Sequence, residues 1–244
     1  MKNKELLIIA GPCAVESREQ ILRIAEKLKK LGIEYLRAGA FKPRTNPDSF
    51  QGLGEDGIIY LLEAKRKTGL KIVTEIMSIE QLNKYGEYID IIQIGARNMY
   101  NYELLKALGK INKPILLKRG LSATYQEWIS ASEYIKREGN NQVIMCERGI
   151  RSFDNHTRNV LDIQAIPYIK YHTNMPIIID PSHASGHRYM IESDSLAAIS
   201  AGADGLIIEV HDRPEEALSD KEQAINIDEL RIILNKINKI KEVI

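Results

Sequence analysis

At 244 residues, with 34 Lys and Arg against 33 Asp and Glu and a formal net charge of +1, the chain can bury a substantial core. It carries no global charge with which to hold nucleic acid or an anionic membrane surface. Two cysteines exclude a secreted disulfide framework and point to a cytoplasmic protein, and the apolar run LLIIA near the N-terminus is too short for a signal peptide or a membrane span.

The chain then alternates between two kinds of segment. Leu6–Ala10 is predicted as a buried strand, ended by Gly11-Pro12, and a helix follows from Ser17 to Leu31 with Ile21, Ile24, Ala25, Leu28 and Leu31 on one face. Ser17, with Gln20 three residues on, has the pattern of a capping box. Glu34–Ala38 is the second strand, followed by a long loop and a helix over Ile58–Thr68. Strands at Lys71–Glu75, Ile89–Ile94 and Ile115–Lys118 are followed by helices at Ser78–Tyr85, Tyr102–Leu108 and Tyr125–Arg137. Gln142–Cys146 precedes a helix beginning near Asn159, Ile177–Asp180 precedes Asp194–Ser200, and Gly205–Val210 precedes Ile227–Ile237. The strands are short continuous apolar runs, which suits parallel strands covered on both faces. Eight strand-helix units without a compositional break predict one (β/α)₈ barrel over residues 1–244.

Chemistry in such a barrel belongs at the C-terminal ends of the strands. There the sequence places Cys13 and Glu16, Arg37 and Lys42, Glu75, Gly95-Ala96-Arg97, Lys118-Arg119, Glu147-Arg148, Asp180 and His183, and Glu209-Val210-His211. Turns at the opposite end are plain. Arg37, Lys42, Arg97, Lys118 and Arg148 follow different strands and would point into one mouth. Five cations there would repel one another at low effective dielectric unless an anion lay between them. Cys13, His183, Glu209 and Asp220 could meet above the barrel and offer a mixed donor set for a divalent transition metal, although none of the short metal-binding motifs is present. Taken singly, Cys13 also reads as a small buried hydrophobe and His183 as a hydrogen-bonded loop residue. Gly52, Gly54 and Gly57 match a dinucleotide fingerprint, but a basic, proline-containing loop separates them from the preceding strand, which argues against that reading.

Seven motifs in order carry a resemblance: GPCAVES at 11–17, RAGAFKPRTNP at 37–47, SFQGLG at 49–54, GARNM at 95–99, LLKRG at 116–120, CERGIRSFD at 146–154 and DPSHASG at 180–186. Together they resemble the 3-deoxy-D-arabino-heptulosonate 7-phosphate synthase family in its compact, single-barrel form, over essentially the whole chain. The resemblance implies a divalent metal, Mn, Fe, Co or Zn, on Cys13, His183, Glu209 and Asp220. It also implies phosphoenolpyruvate and erythrose 4-phosphate as substrates. Arg97, Arg148 and the Ala96 N–H would hold the phosphoenolpyruvate phosphate, Arg37 and Lys118 its carboxylate, and Arg44 and Thr45 the aldose phosphate. Lys42 would donate a proton, Glu75 would handle the attacking water, and His183 could assist as well as bind metal.

The sister family that makes 3-deoxy-D-manno-octulosonate 8-phosphate from arabinose 5-phosphate shares barrel and donor, but the Pro43-Arg44-Thr45 sequence favours the four-carbon acceptor. Asn46 and His187 depart from the family's usual serine and its usual lysine or arginine. A barrel that keeps the phosphate-binding shell without catalysis is the reading from a different class. It would be signalled by loss of a metal ligand or of Lys42, and none is lost. The resemblance further implies a homotetramer or homodimer. With strand one near the start and a helix at the end, no fused regulatory domain and no feedback inhibition by aromatic amino acids or prephenate are expected.

Overall fold

Most strand residues are apolar because both faces of each strand are covered. A computed structural model describes residues 5–42, 46 and 48–243; Pro43, Arg44, Thr45 and Pro47, in the loop after the second strand, lie outside the described residues. The strands are β1 (Leu7–Gly11), β2 (Tyr35–Arg37), β3 (Lys71–Glu75), β4 (Ile91–Ile94), β5 (Ile115–Lys118), β6 (Val143–Glu147), β7 (Ile177–Ile179) and β8 (Gly205–Glu209). All pair in parallel and in sequence order, and β1 closes on β8 with Leu7 opposite Gly205 and Gly11 opposite Glu209. The predicted barrel is therefore the observed one.

Alternate strand residues sort into two apolar layers, as the period of two requires. Ile9, Val73, Ile91, Leu116, Cys146, Ile178 and Ile207 fill the barrel interior. Their neighbours along the strands, such as Ala10, Ile72, Ile92, Leu117, Met145 and Ile208, face the helices. Cys146 is thus a buried interior side chain whose thiol burial pushes far above its ordinary pKa, and its place is structural.

The helices are α1 (Arg18–Lys30), α2 (Glu55–Thr68), α3 (Ile79–Tyr85), α4 (Tyr102–Gly109), α5 (Tyr125–Lys136), α6 (Ala165–His172), α7 (Pro181–Ser185), α8 (Ile191–Ser200) and α9 (Ile227–Lys241). Helix α1 buries Ile21, Ile24, Ala25 and Leu28 as its spacing predicts, while Leu31 forms its C-cap. Ser17 accepts from the Gln20 N–H, but Gln20 Oε1 reaches back to the Glu16 N–H at 3.2 Å, so the expected capping box is only half formed. Complete boxes occur instead at Thr124 with Glu127 and at Asn226 with Glu229.

Three boundaries differ for identifiable reasons. Helix α2 starts at Glu55, before the predicted Ile58, because Gly54 caps it and Glu55 and Asp56 complement the first-turn dipole. A Cβ on Gly52 would lie 2.2 Å from the Ala40 carbonyl oxygen, and one on Gly57 would lie 3.0 Å from Ala40 Cβ. Those glycines let the loop after β2 pack against α2, which accounts for the apparent dinucleotide motif. The helix expected near Asn159 begins only at Ala165. The backbone before it is engaged elsewhere: Arg158 N and Asn159 N donate to Ser185 and Ala184, and Val160 bridges antiparallel to Ile150. Asp180 lies just beyond β7, where it caps α7.

No helix among the described residues is long and apolar enough to cross a membrane. Trp128, the single tryptophan, is fully buried on α5 and donates its indole N–H to the Leu117 carbonyl of β5 at 3.1 Å. Trp128→Phe should destabilise the barrel by about 1–3 kcal/mol through the lost hydrogen bond and the smaller ring. Urea denaturation followed by far-ultraviolet circular dichroism would check this.

Candidate active site

The C-terminal ends of the strands surround a cavity of about 270 Å³, lined by Arg37, Lys42, Glu75, Ala96, Arg97, Lys118, Arg148, Arg158, His183 and Asp220 among others. All five cations expected to converge do so, and Arg158 joins them. Arg37 and Lys118 are paired with buried carboxylates. Arg37 Nη1 lies 2.8 Å from Glu209 Oε1, and Lys118 Nζ lies 2.5 Å from Asp180 Oδ2. The predicted mutual repulsion is therefore partly met by the protein's own carboxylates.

Cys13, His183, Glu209 and Asp220 come from β1, β7 and β8 loops or ends, and one ligand atom from each lies within 4.8 Å of the others. Cys13 Sγ is 2.9 Å from Asp220 Oδ2, and His183 Nε2 is 3.1 Å from Glu209 Oε1. Asp180 orients the imidazole: its Oδ2 lies 2.8 Å from His183 Nδ1 and its Oδ1 accepts the His183 backbone N–H. With the ring proton on Nδ1, the Nε2 lone pair and a Glu209 oxygen face each other. Two acceptors at that separation are stabilised by a cation between them, and an oriented histidine with a carboxylate behind it is the usual support of a metal ligand. Burial pushes His183 down to about 4, so near neutral pH its imidazole is uncharged and able to ligate. Thiolate, imidazole and two carboxylates together fit a divalent transition metal.

Burial works to raise Glu209, but His183 and Arg37 hold it below the ordinary carboxylate value. Asp180 is likewise held well below it, against burial, by His183 and Lys118. Burial, with Glu209 nearby, pushes the Cys13 thiol up to about 12, so ligation by its thiolate requires a cation to displace the proton. Lys42 Nζ contacts Cys13 Sγ at 2.8 Å and the Cys13 carbonyl at 3.0 Å. Burial opposes its charge, yet Cys13 and Glu209 outweigh that and hold its pKa above that of an ordinary lysine.

Two buried polar atoms at the site lack a hydrogen-bond partner among the described residues: Arg37 Nε and Glu75 Oε1. Burial raises the Glu75 carboxyl, and its other oxygen accepts from Gln93 at 3.3 Å. Arg148 is buried against the Gly149 carbonyl, with no carboxylate at ion-pair distance among the described residues. Burial lowers it to about 10, which leaves it cationic. An unmatched buried donor and an unpaired buried guanidinium are features of an anion site awaiting its ligand.

Arg119 points away from this cavity, onto Glu147 and Asp162. Sequence reasoning missed Arg158 and Gln223, which approach Asp220 and Glu209 from the side. Arg158 lies eleven residues beyond the end of β6, just before a segment read as the start of a helix, and Gln223 stands beyond β8 with no local motif to single it out. Asp180 had a usable signal: Asp-Pro with a helix to follow is a cap with proline at its first position. Arg44 and Thr45 lie outside the described residues.

The model of the DAHP synthetase I family matches residues 2–244. Phospho-2-dehydro-3-deoxyheptonate aldolase of Thermotoga maritima is 49% identical over 240 residues, a match that covers 98% of this chain and 71% of that protein. A crystal structure of the Thermotoga maritima protein of that name superposes with a TM-score of 0.95 at 48% identity, over 99% of this chain and 71% of that one. 2-Dehydro-3-deoxyphosphooctonate aldolase of Desulfotalea psychrophila is 32% identical over 254 residues, covering 97% of this chain and 90% of its own. On the family match and the 49% relative, the chain belongs to the DAHP synthetase I family.

Proposed function

We propose that this chain joins phosphoenolpyruvate, D-erythrose 4-phosphate and water into 3-deoxy-D-arabino-heptulosonate 7-phosphate and inorganic phosphate. The observation that carries the reading is the sharing of one cavity by a four-donor metal-ligand group and six cationic side chains. Two anionic substrates can be brought within reacting distance only where their charges are cancelled. The 49% identity to a heptulosonate aldolase, against 32% to an octulosonate aldolase, supports the four-carbon acceptor.

Arg97, Arg148 and the Ala96 N–H would take the phosphoenolpyruvate phosphate. Arg37 would offer its unpartnered Nε to the carboxylate, with Lys118 beside it. Arg44 and Thr45 would take the acceptor phosphate. Cys13, His183, Glu209 and Asp220 would hold a divalent transition metal, which supplies a Lewis acid for the acceptor's aldehyde oxygen. C3 of phosphoenolpyruvate then forms a bond to the aldehyde carbon while positive charge develops at C2. Lys42, kept cationic, donates a proton to the oxygen that becomes the new hydroxyl. Glu75 accepts a proton from the water that adds at C2, and loss of phosphate by C–O cleavage leaves the ketone. Proton acceptor and proton donor thus come from neighbouring elements of the same mouth, Glu75 from β3 and Lys42 from the loop after β2.

Phosphoenolpyruvate loss, followed by ultraviolet absorbance with metal-loaded protein, should be rapid with erythrose 4-phosphate and slow with arabinose 5-phosphate; the reverse preference would overturn the acceptor. Cys13→Ala should abolish stoichiometric metal uptake, measured by elemental analysis after dialysis, while the circular dichroism spectrum stays unchanged. Arg44→Ala should raise KM for erythrose 4-phosphate by about 10- to 100-fold, the value of a charge-assisted hydrogen bond, with KM for phosphoenolpyruvate little altered.

A further inference from the structure

Arg158 stands at the edge of the cavity, with a side chain about one-third exposed, beside the ligand group. Its Nη1 lies 3.4 Å from Asp220 Oδ1 and donates to Gln223 Oε1 at 2.9 Å. Gln223, 2% exposed, then donates its Nε2–H to Glu209 Oε2 at 2.7 Å. One guanidinium therefore reaches two of the four candidate ligands, Asp220 directly and Glu209 through a buried amide. It fixes the amide's orientation as well, since an oxygen held by a cation leaves the NH₂ end for the carboxylate.

The segment beneath it reaches the backbone of a third ligand through the Asn159 side chain. Arg158 N donates to Ser185 O at 2.9 Å, Asn159 N to Ala184 O at 2.8 Å, and Asn159 Nδ2 to His183 O at 3.0 Å. These bonds join the segment after β6 to α7, which carries His183. Gly186, in the left-handed region at φ +73°, makes the contact possible, because a Cβ there would lie 2.8 Å from Arg158 Cβ. Asp220 is the one non-glycine residue with positive φ among the described residues, at 53°. Such a backbone is unfavourable for a residue with a side chain and persists where its surroundings hold it. Cys13 takes one oxygen of its carboxylate and Arg158 the other.

We propose that Arg158 is a positioning residue for the metal ligands, setting the approach of Asp220 and Glu209 to His183 from outside the coordinating group. The proposal rests on the metal-dependent reading given above. An alternative role, direct contact with a substrate anion, follows from the same place at the cavity edge, and the test separates the two.

The test titrates Co(II) into chelator-treated wild type, Arg158→Met and Arg158→Lys against a competing chelator. It records the near-ultraviolet thiolate-to-cobalt band from Cys13 and, separately, KM for both substrates. Arg158→Met should bind Co(II) at least about tenfold more weakly, the usual effect of losing a residue behind a metal ligand, with an altered band. Arg158→Lys, which restores the charge but reaches one acceptor instead of two, should recover part of the affinity. Unchanged Co(II) affinity and band in Arg158→Met would overturn the proposal, and a raised KM alongside them would make Arg158 a substrate contact. If wild type itself bound no Co(II), the metal-dependent reading would fail instead. Should Arg158→Met not fold, Gln223→Leu cuts only the link to Glu209. A several-fold loss of Co(II) affinity is then expected, and no loss would overturn the relay.

Discussion

Charge burial at the C-terminal mouth of the barrel is the constraint on which the rest depends. Arg37, Lys118 and Arg148 are each at most 4% exposed, and each would be costly to bury alone. Glu209 and Asp180 neutralise the first two directly beneath the cavity. The same two carboxylates serve the imidazole of His183, Asp180 at Nδ1 and Glu209 at Nε2. The cation shell and the donor group are therefore not separate sites but share their counter-charges. Removing either carboxylate would leave a buried cation uncompensated and a histidine unoriented at once.

That sharing explains why these side chains stand at strand ends and not on flexible loops. A strand end is fixed by ladder hydrogen bonds on both sides and by an apolar layer on each face, so a group there is held without its own network. Glu75, Lys118 and Glu209 are the last residues of their strands, and Arg37 is the last of β2. The groups that do lie on loops are tied back: Lys42 to Cys13, His183 to Asp180, and Asp220 to Cys13 and Arg158. The outer part of the mouth includes the loop after β2, whose Ala40 packs against Gly57 of α2.

Much of this was legible in the chain itself. Continuous apolar runs such as IIQI and GLIIE are the signature of strands covered on both faces, and their number and spacing gave the barrel. The strand-end charges were visible for the same reason, since a polar residue after an apolar run marks where the chain leaves the core. The pairings among them were not: Lys118 and Asp180 are 62 residues apart, and Arg37 and Glu209 are 172 apart. Asp220 could be offered from the residues only as one of four possible donors, and the resemblance gave it its place, because its loop has no periodic signal. The helix expected at Asn159 failed because tertiary hydrogen bonds to α7 claimed backbone groups that local propensity assigned to a helix. Arg158 was missed for that same reason, since its role exists only once the segment is pinned to a neighbouring loop.

The two kinds of relative sharpen the point about the outer mouth. Proteins named for a seven-carbon and for an eight-carbon product both match at least 97% of this chain, so barrel topology alone does not separate them. On the reading proposed above the two condensations share a donor, and the inner shell of strand-end charges would serve that shared half of the reaction. Discrimination then falls to residues that meet the acceptor's far end. Length is the property to be measured there, and an anion held at a fixed distance from the reacting aldehyde measures it well. One additional carbon displaces a phosphate by more than a hydrogen bond tolerates, so on that reading a cation such as Arg44 would reject the longer sugar by geometry. On that reading the barrel end would serve the donor and the loop after β2 the acceptor, and a change in the loop would leave the buried charges beneath it in place.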